Sequence, residues 1–100
     1  MPSTIYTHDE FWLVTSADGK RPLLTAHVCI ELDIFRDGNW TIVDVGLVDT
    51  IAGYERLVWD IPAGVAALIR AAAEGRHRPS INEHVWDVCD SEFGSVRRFA

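Results

Sequence analysis

Residues 29–46, CIELDIFRDGNWTIVDVG, decide the fold of this chain. Asp37-Gly38 lies at the centre of the segment, and Asp-Gly between alternating apolar residues is a strong short-range signal for a hairpin turn. On each side of it, aliphatic residues occupy alternate positions, which is typical of strands with one buried face. The segment therefore predicts two antiparallel strands, at about residues 23–36 and 39–49.

The pairing of these strands follows from the turn. A two-residue turn at Asp37-Gly38 pairs the inward residues of the strand before it with those of the strand after it. In order, Val28, Ile30, Leu32 and Ile34 lie opposite Leu47, Val45, Val43 and Thr41. On the outer face it sets Glu31 opposite Asp44, whereas a turn one residue later sets Asp33 opposite Asp44. Either register brings two carboxylates to about 5 Å between Cβ atoms. A three-residue loop with a glycine bulge would shift the pairings by one residue, and the sequence leaves this choice open.

The rest of the first half extends the sheet. The segment EFWLVTSA predicts a first strand at about residues 10–17, which ends before the turn signal Asp18-Gly19. Residues 54–60 are either a fourth strand or a short helix, and the strand is favoured.

The second half is helical. Pro62 favours a helix start, and apolar residues at helical spacing predict a helix over 62–74. The capping-box pattern Ser80–Glu83 predicts a second helix over 81–91, with a strand at HVWDVC as the alternative. The sequence thus predicts an α+β fold in one domain, residues 1–100. Its antiparallel meander has three or four strands, with two helices packed on one face.

Composition narrows the function classes. The 100 residues include 15 acidic and nine basic side chains, for a formal net charge of −6. This balance disfavours direct binding to nucleic acid, which depends on neutralising phosphates, and favours a basic protein partner. No signal peptide or membrane span is apparent, and Cys29 and Cys89 form no motif. We expect a soluble, cytoplasmic protein with reduced cysteines that binds neither membrane nor cofactor.

The outer sheet face is the predicted interaction surface. It would combine the carboxylates Glu31, Asp33 and Asp44 with the rings of Trp40 and Phe35. Aromatic side chains supply affinity at interfaces, whereas charges supply steering and specificity. An acidic stripe on the second helix, including Asp87 and Asp90, supplies second-rank partner-binding residues.

Two alternatives compete with this prediction. The first is a homodimer in which outer sheet faces pack together or strand edges join. The second is a metal-binding or catalytic site at His27, Cys29 and Glu31, which alternate on one strand face. Same-face positions on a strand are nearly 7 Å apart, too far for compact coordination without help from a neighbouring strand. No catalytic triad, phosphate-binding loop or dinucleotide motif is present, so a non-enzymatic protein is expected.

The chain as a whole resembles the small acidic inhibitors encoded by phages and mobile elements, of which the anti-CRISPR proteins are the best-known group. The resemblance rests on size, charge and six carboxylates, namely Glu31, Asp33, Asp44, Glu83, Asp87 and Asp90. It implies a partner with a lysine- or arginine-rich groove that serves a nucleic-acid-handling complex.

Overall fold

The computed structural model of this protein describes residues 2–93, with backbone alone at residues 92 and 93. Six elements follow one another along the chain: β1 (Ser3–Thr15), β2 (Pro22–Ile34), β3 (Trp40–Ile51), β4 (Tyr54–Val58), α1 (Ala63–Glu74) and α2 (Arg78–Phe93). The strands form one antiparallel sheet in the order β1-β2-β3-β4. The predicted α+β meander with two helices is confirmed. The ambiguous segment after Gly53 is a strand, and HVWDVC is helical.

One face of the sheet packs against both helices. The inward residues of β2 predicted from the sequence, Val28, Ile30, Leu32 and Ile34, are fully buried. They share one core with Ile69, Ala72 and Ala73 of α1 and with Ile81, Val85 and Cys89 of α2. Burial of a side chain the size of Val, Leu or Ile contributes about 1.5–3 kcal/mol, so this layer supplies most of the driving force for folding.

Strand β1 begins seven residues before its predicted start, at Ser3. Its first half alternates Thr4, Tyr6 and His8 on the core side, opposite buried aliphatic residues of β2. These side chains have polar tips, so the segment lacks the aliphatic alternation that marks β2. Tyr6 is nevertheless buried in the core.

A bulge in β3 divides its pairing with β2 into two registers. From Val28–Leu47 to Glu31–Asp44 the pairing is that of the two-residue turn. From Leu32–Ile42 to the turn it is shifted by one residue. Near the turn Gly38 has a φ of 90° and the Phe35 amide donates to the Asn39 carbonyl, as in a three-residue loop with a glycine bulge. The register of the two-residue turn therefore holds away from the turn, and that of the three-residue loop holds next to it. The alternative that sets Asp33 opposite Asp44 is wrong, because Asp33 pairs with Thr41.

The bulge reverses the predicted facing of the residues between it and the turn. Trp40 and Ile42 pack in or against the core, whereas Thr41 and Val43 are exposed. The prediction that Trp40 stands on the outer face is wrong, because a one-residue shift moves every side chain to the other side of a sheet. Trp40 pairs with Ile34.

Candidate functional site

Three carboxylates lie together on the sheet face that the helices leave open. Glu31 is directly opposite Asp44, and Asp33 follows on the same side of β2, opposite Thr41. All three are half-buried, and Asp44 Oδ1 accepts a hydrogen bond of 2.9 Å from the Val45 amide. The two ion pairs found among residues 2–93, His27–Glu55 and Asp49–Arg56, involve none of these carboxylates. The sheet therefore concentrates negative charge at one place on this face.

Exposed aliphatic side chains flank the carboxylates. A bulge sets two residues of one strand against one residue of its partner, so Val43 and Asp44 both lie across from Glu31. On the other side of Glu31, Ile5 of β1 is its partner in the ladder. Val43 and Ile5 are each 45% exposed. We call the surface formed by Ile5, Glu31, Asp33, Val43 and Asp44 the acidic face.

The predicted aromatic residues contribute elsewhere. Trp40 is buried, and its Nε1 donates a 2.8 Å hydrogen bond to Asn82 Oδ1 on α2. The guanidinium of Arg78 lies 4.9 Å from the centre of its ring. Trp40 thus anchors α2 to the sheet. Phe35 is half-buried and lies beyond the last β2–β3 pair, where its carbonyl accepts a hydrogen bond from Cys89 Sγ.

The acidic residues of α2 form a separate group. Ile81 and Val85 bury one side of the helix, whereas Glu83 and Asp87 are exposed on its opposite side and Asp90 is half-buried. Since α2 covers the inner face of the sheet, these residues lie on a different side of the molecule from the acidic face. The helical side also bears an open groove of about 420 Å³, lined by Gly75, Arg78, Pro79, Asn82, Glu83 and Trp86. Unlike the acidic face, this groove carries both signs of charge.

The alternative site at His27, Cys29 and Glu31 has a buried thiol at its centre. Cys29 is fully buried, and its Sγ donates to the Leu47 carbonyl at 3.7 Å. Burial raises the pKa of the Cys29 thiol, and the nearby charge of Asp44 raises it further. A nucleophile or metal ligand needs the opposite shift, because the thiolate is the reactive form. Within residues 2–93, no three His, Cys, Asp or Glu side chains are grouped to hold a metal ion.

A cluster of rings between β1 and the helical layer lies outside the sequence-based predictions. It contains Tyr6, His8 and Phe11 of β1, His77 of the α1–α2 loop and His84 of α2. His84 Nε2 is 2.9 Å from Thr4 Oγ1, and His77 Nε2 accepts a 2.9 Å hydrogen bond from the Trp12 amide. The alternation of Thr4, Tyr6 and His8 is the signal from which the β1 part of this cluster could have been found.

The fold and the acidic face together define a small α+β domain with a charged, helix-free sheet surface. Comparison of the chain with protein families, with curated proteins and with solved structures gives no match. Among the described residues, no helix is long and apolar enough to cross a membrane.

Proposed function

We propose that this protein is a non-enzymatic binding domain whose acidic face binds a basic protein surface. The observation that carries the proposal is the direct opposition of Glu31 and Asp44 in the ladder, with Asp33 on the same face. Like charges directly opposite on a sheet are unfavourable, and such departures from local rules are common at functional sites.

A basic partner would remove this repulsion. In water two charges a few ångströms apart interact by only about 1 kcal/mol, so the free domain tolerates the pair. Lysine or arginine groups that dock on the face would convert the repulsion into attraction, and burial would strengthen it. Ile5 and Val43 offer apolar area at the same place. This combination of charge and apolar surface is typical of protein interfaces.

The partner class follows from the charge. The acidic face and the net charge of −6 would repel phosphate, whereas a groove that holds nucleic acid is rich in lysine and arginine. We therefore propose an inhibitor that occupies such a groove in a nucleic-acid-handling complex, in the manner that the anti-CRISPR resemblance implies. We place it in the cytoplasm, since Cys29 and Cys89 are both free thiols.

Charge reversal at the acidic face tests the proposal. The probe is a fluorescent peptide that combines lysine and arginine with leucine. We expect Asp33→Lys with Asp44→Lys to lower its association rate about tenfold or more at low salt, since steering by charge acts on association. The matched control is Glu83→Lys with Asp87→Lys, which makes the same charge change on the helical side.

Two outcomes would overturn the proposal. Equal losses in the two double variants would mean that net charge alone attracts the peptide. Unchanged association after reversal at the acidic face would mean that the face takes no part. Thermal unfolding of both variants checks that the fold is retained.

A homodimer is a second candidate function. The β3–β4 hairpin favours a dimer that joins at the β4 edge over one in which two acidic faces pack together. Two acidic faces would repel one another, but β4 is an edge strand with exposed apolar residues at and beside it. Tyr54 is 79% exposed, Ile51 50% and Leu57 36%. Light scattering over a range of concentrations tests this candidate, with loss of dimer in Tyr54→Lys as the expected result. A monomer at every concentration would exclude it.

A further inference from the structure

Strand β1 is an edge of the sheet, yet its edge is covered at Trp12. The Trp12 amide donates a 2.9 Å hydrogen bond to His77 Nε2. The Trp12 carbonyl accepts a 2.7 Å hydrogen bond from Arg76 Nη1. Both main-chain groups that a further strand would use are therefore occupied by the α1–α2 loop. Natural proteins commonly protect edge strands in this way against pairing with other chains.

His77 is held firmly in this position. Only 9% of it is exposed, its ring stacks on Phe11 with centroids 3.9 Å apart, and its amide donates to the Ala72 carbonyl. Because Nε2 accepts a hydrogen bond from the Trp12 amide, it carries no hydrogen of its own. The imidazole is therefore neutral, with its hydrogen on Nδ1. A protonated imidazole has two donors and no acceptor, so it cannot make this bond.

We propose that His77 is a pH-sensitive cap on the β1 edge, which closes the edge when neutral and releases it when protonated. Protonation at Nε2 sets two donors against each other and breaks the bond to Trp12. The loop that carries Arg76 and His77 then leaves β1, and the Trp12 amide and carbonyl become free to pair. This device is independent of the acidic face and goes beyond the proposed function.

Burial and two basic neighbours oppose the protonation of His77. Burial lowers the pKa of His77, and His8 of β1 and Arg76 of the same loop lower it further. The rings of His8 and His77 are 5.3 Å apart. Glu74 ends α1 and Arg78 begins α2 on either side of the loop, and both are exposed, as are Asp9 and Glu10 in β1.

A second histidine joins the same two layers. His84 of α2 lies 2.9 Å from the Thr4 hydroxyl of β1, and its ring meets the edge of Tyr6 at 5.4 Å. Burial lowers the pKa of His84, although Asp87 acts in the opposite direction. The Thr4 hydroxyl can accept as well as donate, so this contact is compatible with a protonated His84. The His77 bond to the Trp12 amide is the one that acidification breaks.

Amide hydrogen exchange measured by NMR tests the proposal. In the closed state His77 is neutral, and in the open state it would titrate near the ordinary imidazole pKa of 6.5. The equilibrium constant for opening should then increase about tenfold between pH 7.5 and 5.5. We expect the protection factor of the Trp12 amide to fall by this factor, and that of Ile30 in central β2 to fall less. In His77→Gln, whose side-chain oxygen accepts but does not titrate, protection should be the same at both pH values. His27→Gln on the open face is the matched control and should behave like the wild type.

Two results would overturn the proposal. One is a Trp12 protection factor that does not change with pH in the wild type, and the other is a fall that persists in His77→Gln. If that variant fails to fold, the imidazole nitrogen shifts of the wild type decide. An Nε2 that carries a proton at neutral pH, or titration of His77 at or above 6.5, would overturn the proposal as well.

Discussion

Gly46 lies on the open sheet face, where the last residue of β4 and the residue after it approach the glycine closely. A Cβ added to it would clash with the Val58 carbonyl oxygen and would lie 3.1 Å from both Cys29 Sγ and Trp59 Cε3. Position 46 faces Cys29 in the ladder, so the buried thiol and the ring of Trp59 both border the space above this glycine. Glycine is required here by close approach.

Gly46→Ala should therefore destabilise the protein. The nearest obstacle is backbone, which cannot rotate away, so we expect a loss of about 1–3 kcal/mol in the free energy of unfolding, as for other overpacked sites. Urea denaturation measures it. Gly64→Ala is the matched control, because an added Cβ in α1 meets nothing within 4 Å. That variant should be neutral or more stable by up to about 1 kcal/mol, and equal effects at both positions would contradict the argument.

Trp40 provides a test of its reassignment from the outer face to the core. Trp40→Phe removes the donor that bonds Asn82 Oδ1 and leaves that half-buried acceptor without it. We expect a loss of about 1–3 kcal/mol in the free energy of unfolding, with unchanged binding of the basic peptide. Trp86→Phe, at an exposed position of α2, should cost less than about 0.5 kcal/mol. If folded Trp40→Phe binds the peptide more weakly, the conclusion that Trp40 lies outside the interaction surface is wrong.

The sequence predicts the number and type of the strands and helices, but it predicts neither the early start of β1 nor the bulge within β3. The alternation in β2 is unbroken, so its buried side is evident from residues alone. In β3 the run WTIVDV contains apolar residues at successive positions, and either alternate set can serve as the inner one. Packing of Trp40 against Asn82 and Arg78 of α2 selects the observed set. Those residues lie in the second half of the chain, so the local sequence pattern of β3 does not indicate that they contact Trp40.

The candidate site was predictable in part for the same reason. Glu31, Asp33 and Asp44 were placed on the open face because they lie on β2 or beyond the bulge, where the predicted register holds. Trp40 lies between the bulge and the turn, where the side chains face the side opposite to the one that the unbulged register predicts. The ring cluster joins Tyr6 to His77 and His84, which are far away in sequence, and the alternation in β1 indicates nothing about those partners.

The turn of the β3–β4 hairpin contains a strained residue, Ala52. Ala52 and Gly53 have φ values of 52° and 83°, which is the conformation of a type I′ turn. An L-residue other than Gly, Asn or Asp is strained there by about 1–2 kcal/mol. Ala52→Asn should stabilise the protein by roughly 0.5–1 kcal/mol, measured by thermal or urea unfolding. Ala17→Asn in the β1–β2 loop is a control at a residue without positive φ, and an equal gain there would point to a general effect of asparagine.

In this molecule the opposed carboxylates and the groups with shifted pKa values lie in different environments. Carboxylates that oppose each other lie at the surface, where their repulsion is screened. His77, Cys29 and Cys89 are instead buried and His84 is half-buried, and charge is costly in these places. Burial lowers the pKa of His77 and His84 and raises that of Cys29, Cys89 and Tyr6. Each shift favours the neutral form of its group. The fold should therefore be most stable above the pH range in which the histidines titrate and below the range in which the thiols and Tyr6 titrate.

The free energy of unfolding should therefore form a plateau at about pH 7–8.5. A lowered histidine pKa stabilises fully above the ordinary value of 6.5 and loses this contribution as pH falls, by at most about 1.4 kcal/mol per pH unit and histidine. A raised thiol pKa stabilises below the ordinary value of 9.0 and loses its contribution as pH rises further. Urea denaturation at each pH measures both limbs, and His77→Gln with His84→Gln should flatten the acid limb alone. A wild type that becomes more stable between pH 7 and 5.5 would show that the buried imidazoles do not control this range.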